Sequence, residues 1–254
     1  MATAFAAAAS STPYGGDFFD SIEAGSLASA RVVVPIVKLI VPFRSVVDVG
    51  CGRGVWLRVF QENGAEEILG LDGDYVDRSK LAISNSSFRS RDLVRDFSVP
   101  RDYDLAVCLE VGEHLPASVA GRLVKMLTEL APVVLFSAAI PGQGGTRHIN
   151  EQWPRFWEGQ FNALGYSRID AIRPRIWCEN DVSWWFRQNC FLYASEQGLR
   201  NNEVLRREHE KCSSIPFQLI REDILNLNLS LRGTLGRLPG QIVRWILQRV
   251  GFCQ

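Results

Sequence analysis

VVDVGCGRG, residues 46–54, runs a β-branched strand straight into three glycines spaced two apart. Ser45 to Val49 reads as a buried strand, and Val55 to Asn63 as a helix closed by Gly64. Glycine lets the backbone turn tightly there and lets a ligand approach with no Cβ in the way. The helix that follows presents unpaired N–H groups at its start. Downstream, Glu67 to Leu71 forms a second strand ending at Asp72-Gly73. An acid at that strand end accepts hydrogen bonds from ribose hydroxyls.

Working outward, strands and helices alternate. Ser87 to Arg91, Asp104 to Val111 and Val133 to Ala138 read as strands three to five, with final strands near Ser167 to Ile172 and Gln188 to Ala194. Between them lie amphipathic helices: Ala117 to Leu130, and one marked by Trp153, Trp157, Phe161 and Leu164 and closed by Gly165. Ser26 to Ile40 is a further helix, with Pro35 as a kink or boundary. This order implies an α/β, doubly wound, mostly parallel sheet with helices on both faces. Trp153 and Trp157 are expected in the core. Residues 1–25 are expected to be a flexible segment, 26–200 the main domain and 201–254 a helical extension.

The ligand class follows from spacing. Dinucleotide binders show G-x-G-x-x-G, because a diphosphate sits on the helix. Here the pattern is G-x-G-x-G with Asp48 before it, and an acid beside the turn suits an ammonium and a sulfonium better than a diphosphate. At Asp48, Gly50, Gly52 and Gly54 the chain resembles the class I methyltransferases, whose first motif is acid-x-G-x-G-x-G. The resemblance runs over residues 45–195. It implies a Rossmann-like sheet of seven strands with the last reversed, and S-adenosyl-L-methionine as methyl donor. It also implies that Gly50, Cys51, Gly52 and Gly54 hold the methionine part, that Asp72 and Gly73 hold the ribose, and that Asp92 and Leu93 lie by the adenine, with Asp96 as the alternative partner. Leu109 and Glu110 then line the same pocket.

The fourth strand ends in CLEVGEHLP, which sets Glu113 and His114 where an acceptor approaches the methyl group. His114 is a candidate base for a hydroxyl proton, since imidazole titrates near neutrality. After the fifth strand, PGQGGTRHINEQW makes a glycine-rich loop and then crowds polar groups before a helix. His148 and Glu151 are the alternative bases, and Asn150 the alternative helix cap. Two such residues give too few ligands for a metal, so no metal site is read here. This stretch, with WWFRQN (184–189), resembles a bacterial branch of these methyltransferases associated with polysaccharide or glycolipid building. The expected function is O-methylation of a small-molecule or glycan acceptor. The alternatives are N-methylation of a similar acceptor and nicotinamide-dependent oxidoreduction.

Composition narrows the partners. Among 254 residues, 28 are Lys or Arg and 28 Asp or Glu, so no global field selects nucleic acid. The six cysteines contain no C-x-x-C pair, and Cys51 and Cys108 read as small buried residues. No basic flank marks a secretory signal at the start, so a cytoplasmic location is expected. After Asp223 the charge is carried by Arg232, Arg237, Arg244 and Arg249 alone. That tail is read as one or two helices broken near Pro239-Gly240, packed on the domain or on a second subunit, with a weak membrane-surface contact as the other reading.

Overall fold

The computed structural model describes residues 16–95 and 102–212. Seven strands among them form one sheet: β1 (Ser45–Val49), β2 (Glu67–Asp72), β3 (Phe88–Ser90), β4 (Leu105–Leu109), β5 (Val133–Ser137), β6 (Tyr166–Ile169) and β7 (Phe191–Ser195). The spatial order is β3-β2-β1-β4-β5-β7-β6. The pairs among β1 to β5 are parallel, and β7 runs antiparallel to both β5 and β6. The expected doubly wound sheet with a reversed last strand is therefore the observed one.

The order reverses between β1 and β4. The chain builds outward from β1 to β3 and then returns to the other side of β1. The loops diverge at that switch point and leave a crevice beyond the carboxyl ends of the strands. Both the glycine turn after β1 and the E-V-G-E-H turn after β4 open into it.

Strand side chains alternate between two apolar layers. Val46, Leu105, Val107, Leu135 and Leu192 pack on one face, with α1 (Gly16–Ile40) and α2 (Val55–Glu62). Val47, Ala106, Cys108, Val134, Phe136 and Tyr193 pack on the other, under α3 (Ala120–Leu130) and α4 (Pro154–Asn162). Val33, Val34, Val37 and Ile40 give α1 its buried stripe.

Several boundaries differ from expectation. α1 runs through Pro35, which does not end it. Pro35 and Arg31 both lie on the exposed side, so the carbonyl freed by the missing N–H faces water. The helix also begins at Gly16, inside the segment expected to be flexible. α3 is preceded by a 3₁₀ turn at Ala117–Val119. Gln188 and Asn189 belong to a helix, α6 (Trp184–Asn189), and not to the last strand. α5 (Arg173–Ile176), α7 (Glu196–Asn201) and α8 (Glu203–Cys212) were not foreseen individually. Trp157 is core, as expected, but Trp153 is 39% exposed, because it sits before the first helical turn with Pro154 at the start of α4. Asp96, the segment after Cys212 with its arginines and the Pro239-Gly240 break all lie outside the described residues.

Asp170 and Arg173 form a buried pair joining β6 to α5. Arg173 also donates to the Gln188 carbonyl at 3.2 Å and lies 4.3 Å from the Phe191 ring centroid. No disulfide links the described cysteines, and Cys51 and Cys108 are buried as expected. No helix among the described residues is long and apolar enough to cross a membrane.

Candidate active site

The turn after β1 is held by its neighbour strand. The Gly50 N–H donates to the Leu71 carbonyl at 2.7 Å, and the Gly54 N–H closes the turn on the Cys51 carbonyl at 2.8 Å. Gly50, Gly52 and Gly54 have φ of 83°, 53° and 79°, a region that a side chain makes costly. At Gly50 a Cβ would also lie 2.3 Å from a methyl of Val111.

Asp72 locks this turn to β2. Its carboxylate accepts from the Gly52 N–H at 2.6 Å, from the Gly73 N–H at 2.7 Å and from the Tyr75 hydroxyl. Burial holds its pKa above the usual carboxylate value, and these three donors offset part of that rise.

The turn and Asp72 border a cavity of about 730 Å³, within the range of small-molecule and cofactor sites. Gly50, Cys51, Gly52, Asp72, Gly73, Asp92, Leu93, Leu109 and Glu110 all line it. Asp48 and Gly54 do not. Asp48 shares the strand face of Val46 and is 3% exposed, beneath the turn. Burial, and then the nearby Asp72, push its carboxyl well up. Gly54 faces inward, where a Cβ would lie 2.8 Å from Ile83. Its place is at the start of α2.

The charge of the lining separates two ligand classes. Six carboxyl side chains border the cavity (Glu23, Asp72, Asp74, Asp92, Glu110 and Glu113) against two arginines, Arg53 and Arg91. Arg53 is already paired with Glu23 at 2.8 Å. A diphosphate would meet net repulsion there, whereas a nucleoside bearing a sulfonium and an ammonium would not. The residues present therefore fit S-adenosylmethionine, with the glycine turn and Asp72 on one wall of the cavity.

Glu110 is held in an uncommon backbone region, φ 54°. Its N–H donates to the Ser137 carbonyl at 3.0 Å, and its carboxylate accepts from Gln143 at 2.8 Å and Asn189 at 3.3 Å. Asn189 also donates to Gln143 at 2.8 Å. This triad ties β4, the glycine-rich loop and α6 around one end of the cavity. Gln143 and Asn189 were missed in the sequence. Their amides carry no spacing signal, and only the fold brings them to Glu110.

Gly112–His114 is a 3₁₀ turn. The Glu113 carbonyl accepts from the N–H groups of Ile149 and Asn150 at 2.9 and 3.1 Å, and Asn150 Nδ2 donates to the Gly112 carbonyl at 3.1 Å. These bonds dock the HINEQW segment on the E-H turn, so Asn150 does not cap α4. They bring the rings of His114 and His148 to 4.9 Å, edge to face, and both rings line the cavity. Burial, and then His148, hold the His114 imidazole down to about 4. At neutral pH it is an uncharged donor–acceptor and a weak base.

Glu151 does not line the cavity. Its carboxylate accepts from the N–H groups of Gly142 and Gly144, each at 2.7 Å, and faces His148 Nδ1 at 3.1 Å. These bonds set Glu151 to shape the loop and orient His148 from outside the cavity lining. Glu113 is fully buried, and neither of its oxygens accepts a hydrogen bond of ordinary geometry among the described residues. Burial and then Glu110 push its pKa well up.

Trp157 supports this arrangement from below. A Cβ at Gly112 would lie 2.6 Å from its indole ring. Gly112→Ala is expected to cost about 1–3 kcal/mol of stability by overpacking, measured by chemical denaturation. An unchanged midpoint would show that the E-H turn has room to shift.

The sheet matches solved methyltransferases of low sequence identity. Human N-acetylserotonin methyltransferase, solved with S-adenosylmethionine, superposes with a TM-score of 0.51 at 13% identity, covering 70% of this chain and 55% of that one. This chain thus spans little more than half the length of that enzyme. The sugar N-methyltransferase KedS8 from Streptoalloteichus superposes with a TM-score of 0.56 at 16% identity, covering 77% of this chain and 97% of that one. No curated protein sequence matches the chain. Residues 24–218 match the family model described as "Methyltransferase domain". With that match over most of its length, and with the β3-β2-β1-β4-β5-β7-β6 sheet and its glycine turn, the chain belongs to the methyltransferase domain family.

Proposed function

We propose that the chain transfers the methyl group of S-adenosylmethionine to a hydroxyl oxygen of a small-molecule or glycan acceptor. One observation carries this reading: the glycine turn with Asp72, and the paired imidazoles of His114 and His148, border the same cavity. A donor held at one end meets an acceptor at the other.

When bound, S-adenosylmethionine supplies an electrophilic methyl on a cationic sulfur. The chain's own residues align and protect the two reactants. Gly50, Cys51 and Gly52 give the methionine portion a surface of backbone atoms, Asp72 and Gly73 receive the ribose hydroxyls, and Asp92 and Leu93 border the adenine. Leu109 and Glu110 floor the pocket from β4. His114 and His148 border the acceptor end; His148, oriented by Glu151, receives the hydroxyl proton as the oxygen attacks, with the uncharged His114 beside it as a hydrogen-bonding partner. Their presence favours an oxygen over an amine, since a neutral amine needs no base for attack. Trp184 and Trp185 are half-buried at the cavity border, 5.6 Å apart edge to face, and offer apolar faces to a ring-shaped acceptor such as a sugar.

Thermal unfolding with candidate nucleosides tests the donor. S-Adenosylhomocysteine at a hundred times its dissociation constant is expected to stabilise the fold by about 2.7 kcal/mol, while NAD leaves the transition unmoved. A shift with NAD and none with S-adenosylhomocysteine would return the oxidoreductase alternative. For the acceptor, mass spectrometry of glycan and small-molecule extracts incubated with enzyme and donor is expected to show the gain of one methyl.

A further inference from the structure

The sequence offers His148 and Glu151 as an incomplete ligand set, and the fold replaces it with another. Glu113, His114 and His148 each bring one ligand atom to within 4.8 Å of the other two. We propose that these three side chains hold a divalent first-row transition-metal ion at the acceptor end of the cavity.

Three observations carry this. Glu113 is fully buried, and neither of its carboxylate oxygens has a hydrogen bond of ordinary geometry among the described residues, although the Ala139 N–H and the Glu110 carboxyl lie close to it. Burying such a group unsatisfied is costly and rare, and a cation bound there would satisfy it. His148 is already oriented as a ligand. With Nδ1 donating to the Glu151 carboxylate at 3.1 Å, its Nε2 carries the lone pair, the carboxylate–histidine–metal relay. His114 donates a ring N–H to the Arg147 carbonyl, which assigns the tautomer whose other nitrogen carries a lone pair.

The dimensions are close to those required. Ligands about 2.1 Å from one ion stand about 3–4 Å apart, so the three atoms need to close by about 1 Å. The needed shift falls in the loop before His148, whose Gly142, Gly144 and Gly145 all take positive φ. Two imidazoles and one carboxylate favour Mn²⁺, Fe²⁺, Co²⁺ or Zn²⁺ over Mg²⁺, whose preferred ligands are oxygens. With three protein ligands, positions stay open toward the cavity for an acceptor oxygen. Such an ion would acidify a bound hydroxyl and take over the role of a free base. That consequence rests on the proposed O-methylation, while binding of the ion does not.

The test is calorimetric titration of metal-stripped, tag-free protein with Co²⁺, followed in parallel by visible absorption. One ion per chain is expected. Glu113→Gln, His114→Ala and His148→Ala are each expected to weaken binding more than tenfold, and Glu151→Gln by about 10- to 100-fold through loss of the orienting carboxylate. Circular dichroism checks the fold of each variant, and the His114→Ala/His148→Ala pair serves if Glu113→Gln does not fold. Absence of stoichiometric binding to the wild type, or wild-type affinity in the double variant, would overturn the site, and tighter binding of Mg²⁺ would overturn the ion class. S-Adenosylhomocysteine titrated into the same stripped wild-type protein separates the outcomes. Nucleoside binding without metal binding removes only the ion, and loss of nucleoside binding removes the donor reading.

Discussion

Asp72→Ala is expected to weaken binding of S-adenosylhomocysteine by about 10²- to 10³-fold, corresponding to about 3–4 kcal/mol. Two effects add. The ribose loses a charged acceptor, whose hydrogen bonds are each worth about 1.5–3 kcal/mol. The glycine turn also loses its anchor, since the Gly52 and Gly73 N–H groups both donate to that carboxylate. Asp72→Asn is expected to be nearly as harmful, because its NH₂ would face one of those two N–H donors. Tyr75→Phe is the control. It removes the phenol that also donates to Asp72 and leaves the carboxylate in place. Binding unchanged or tighter in Tyr75→Phe, with a large loss in Asp72→Ala, shows that the carboxylate and not the phenol it holds carries the effect. Wild-type affinity in Asp72→Ala would show that neither a ribose contact nor the anchoring of the turn by this acid matters to binding. Calorimetry on all three variants reads the difference.

The second large effect is expected at the paired imidazoles. Replacing both His114 and His148 with alanine is expected to lower turnover by about 10²- to 10⁴-fold, the usual contribution of a positioned proton acceptor. Single-turnover rates with an identified acceptor measure it. The direction is the same whether the proton passes to imidazole directly or the hydroxyl is acidified by an ion the histidines hold. Chelation separates these routes, because activity that survives metal stripping belongs to imidazole acting as base. Full turnover in the double variant would remove both and would favour an acceptor that needs no base, such as a neutral amine.

The glycine turn, Asp72 and the strand–helix alternation were legible because their signals are local. A β-branched run ending in glycines specifies strand and turn within nine residues, and φ values of 53–83° at Gly50, Gly52 and Gly54 explain why glycine stands there. Asp48 stands off the cavity lining for a reason a strand imposes. Its side chain follows the parity of Val46 into the sheet and not into the crevice. Trp153 failed because helical spacing was extended one residue past the start that Pro154 sets.

The acceptor end was less legible because it is assembled over distance. His114 and His148 stand 34 positions apart in the chain, and backbone bonds from Ile149 and Asn150 to the Glu113 carbonyl bring them together. Periodicity carries no trace of such bonds. The depth of Glu113 is equally invisible, since a glutamate in a polar turn reads as solvated. Gln188 and Asn189 were placed on a strand because an apolar run follows them, yet Asn189 closes α6 and, buried, donates to Glu110.

Calorimetric titration of the purified wild-type chain with S-adenosylhomocysteine bears on all of this at once. A single site per chain is expected, with a dissociation constant of about 1–100 µM, in the range enzymes adopt for their substrates, and with NAD producing no heat. Folded protein that takes up no S-adenosylhomocysteine would contradict the assignment of the glycine turn and Asp72 to a sulfonium nucleoside.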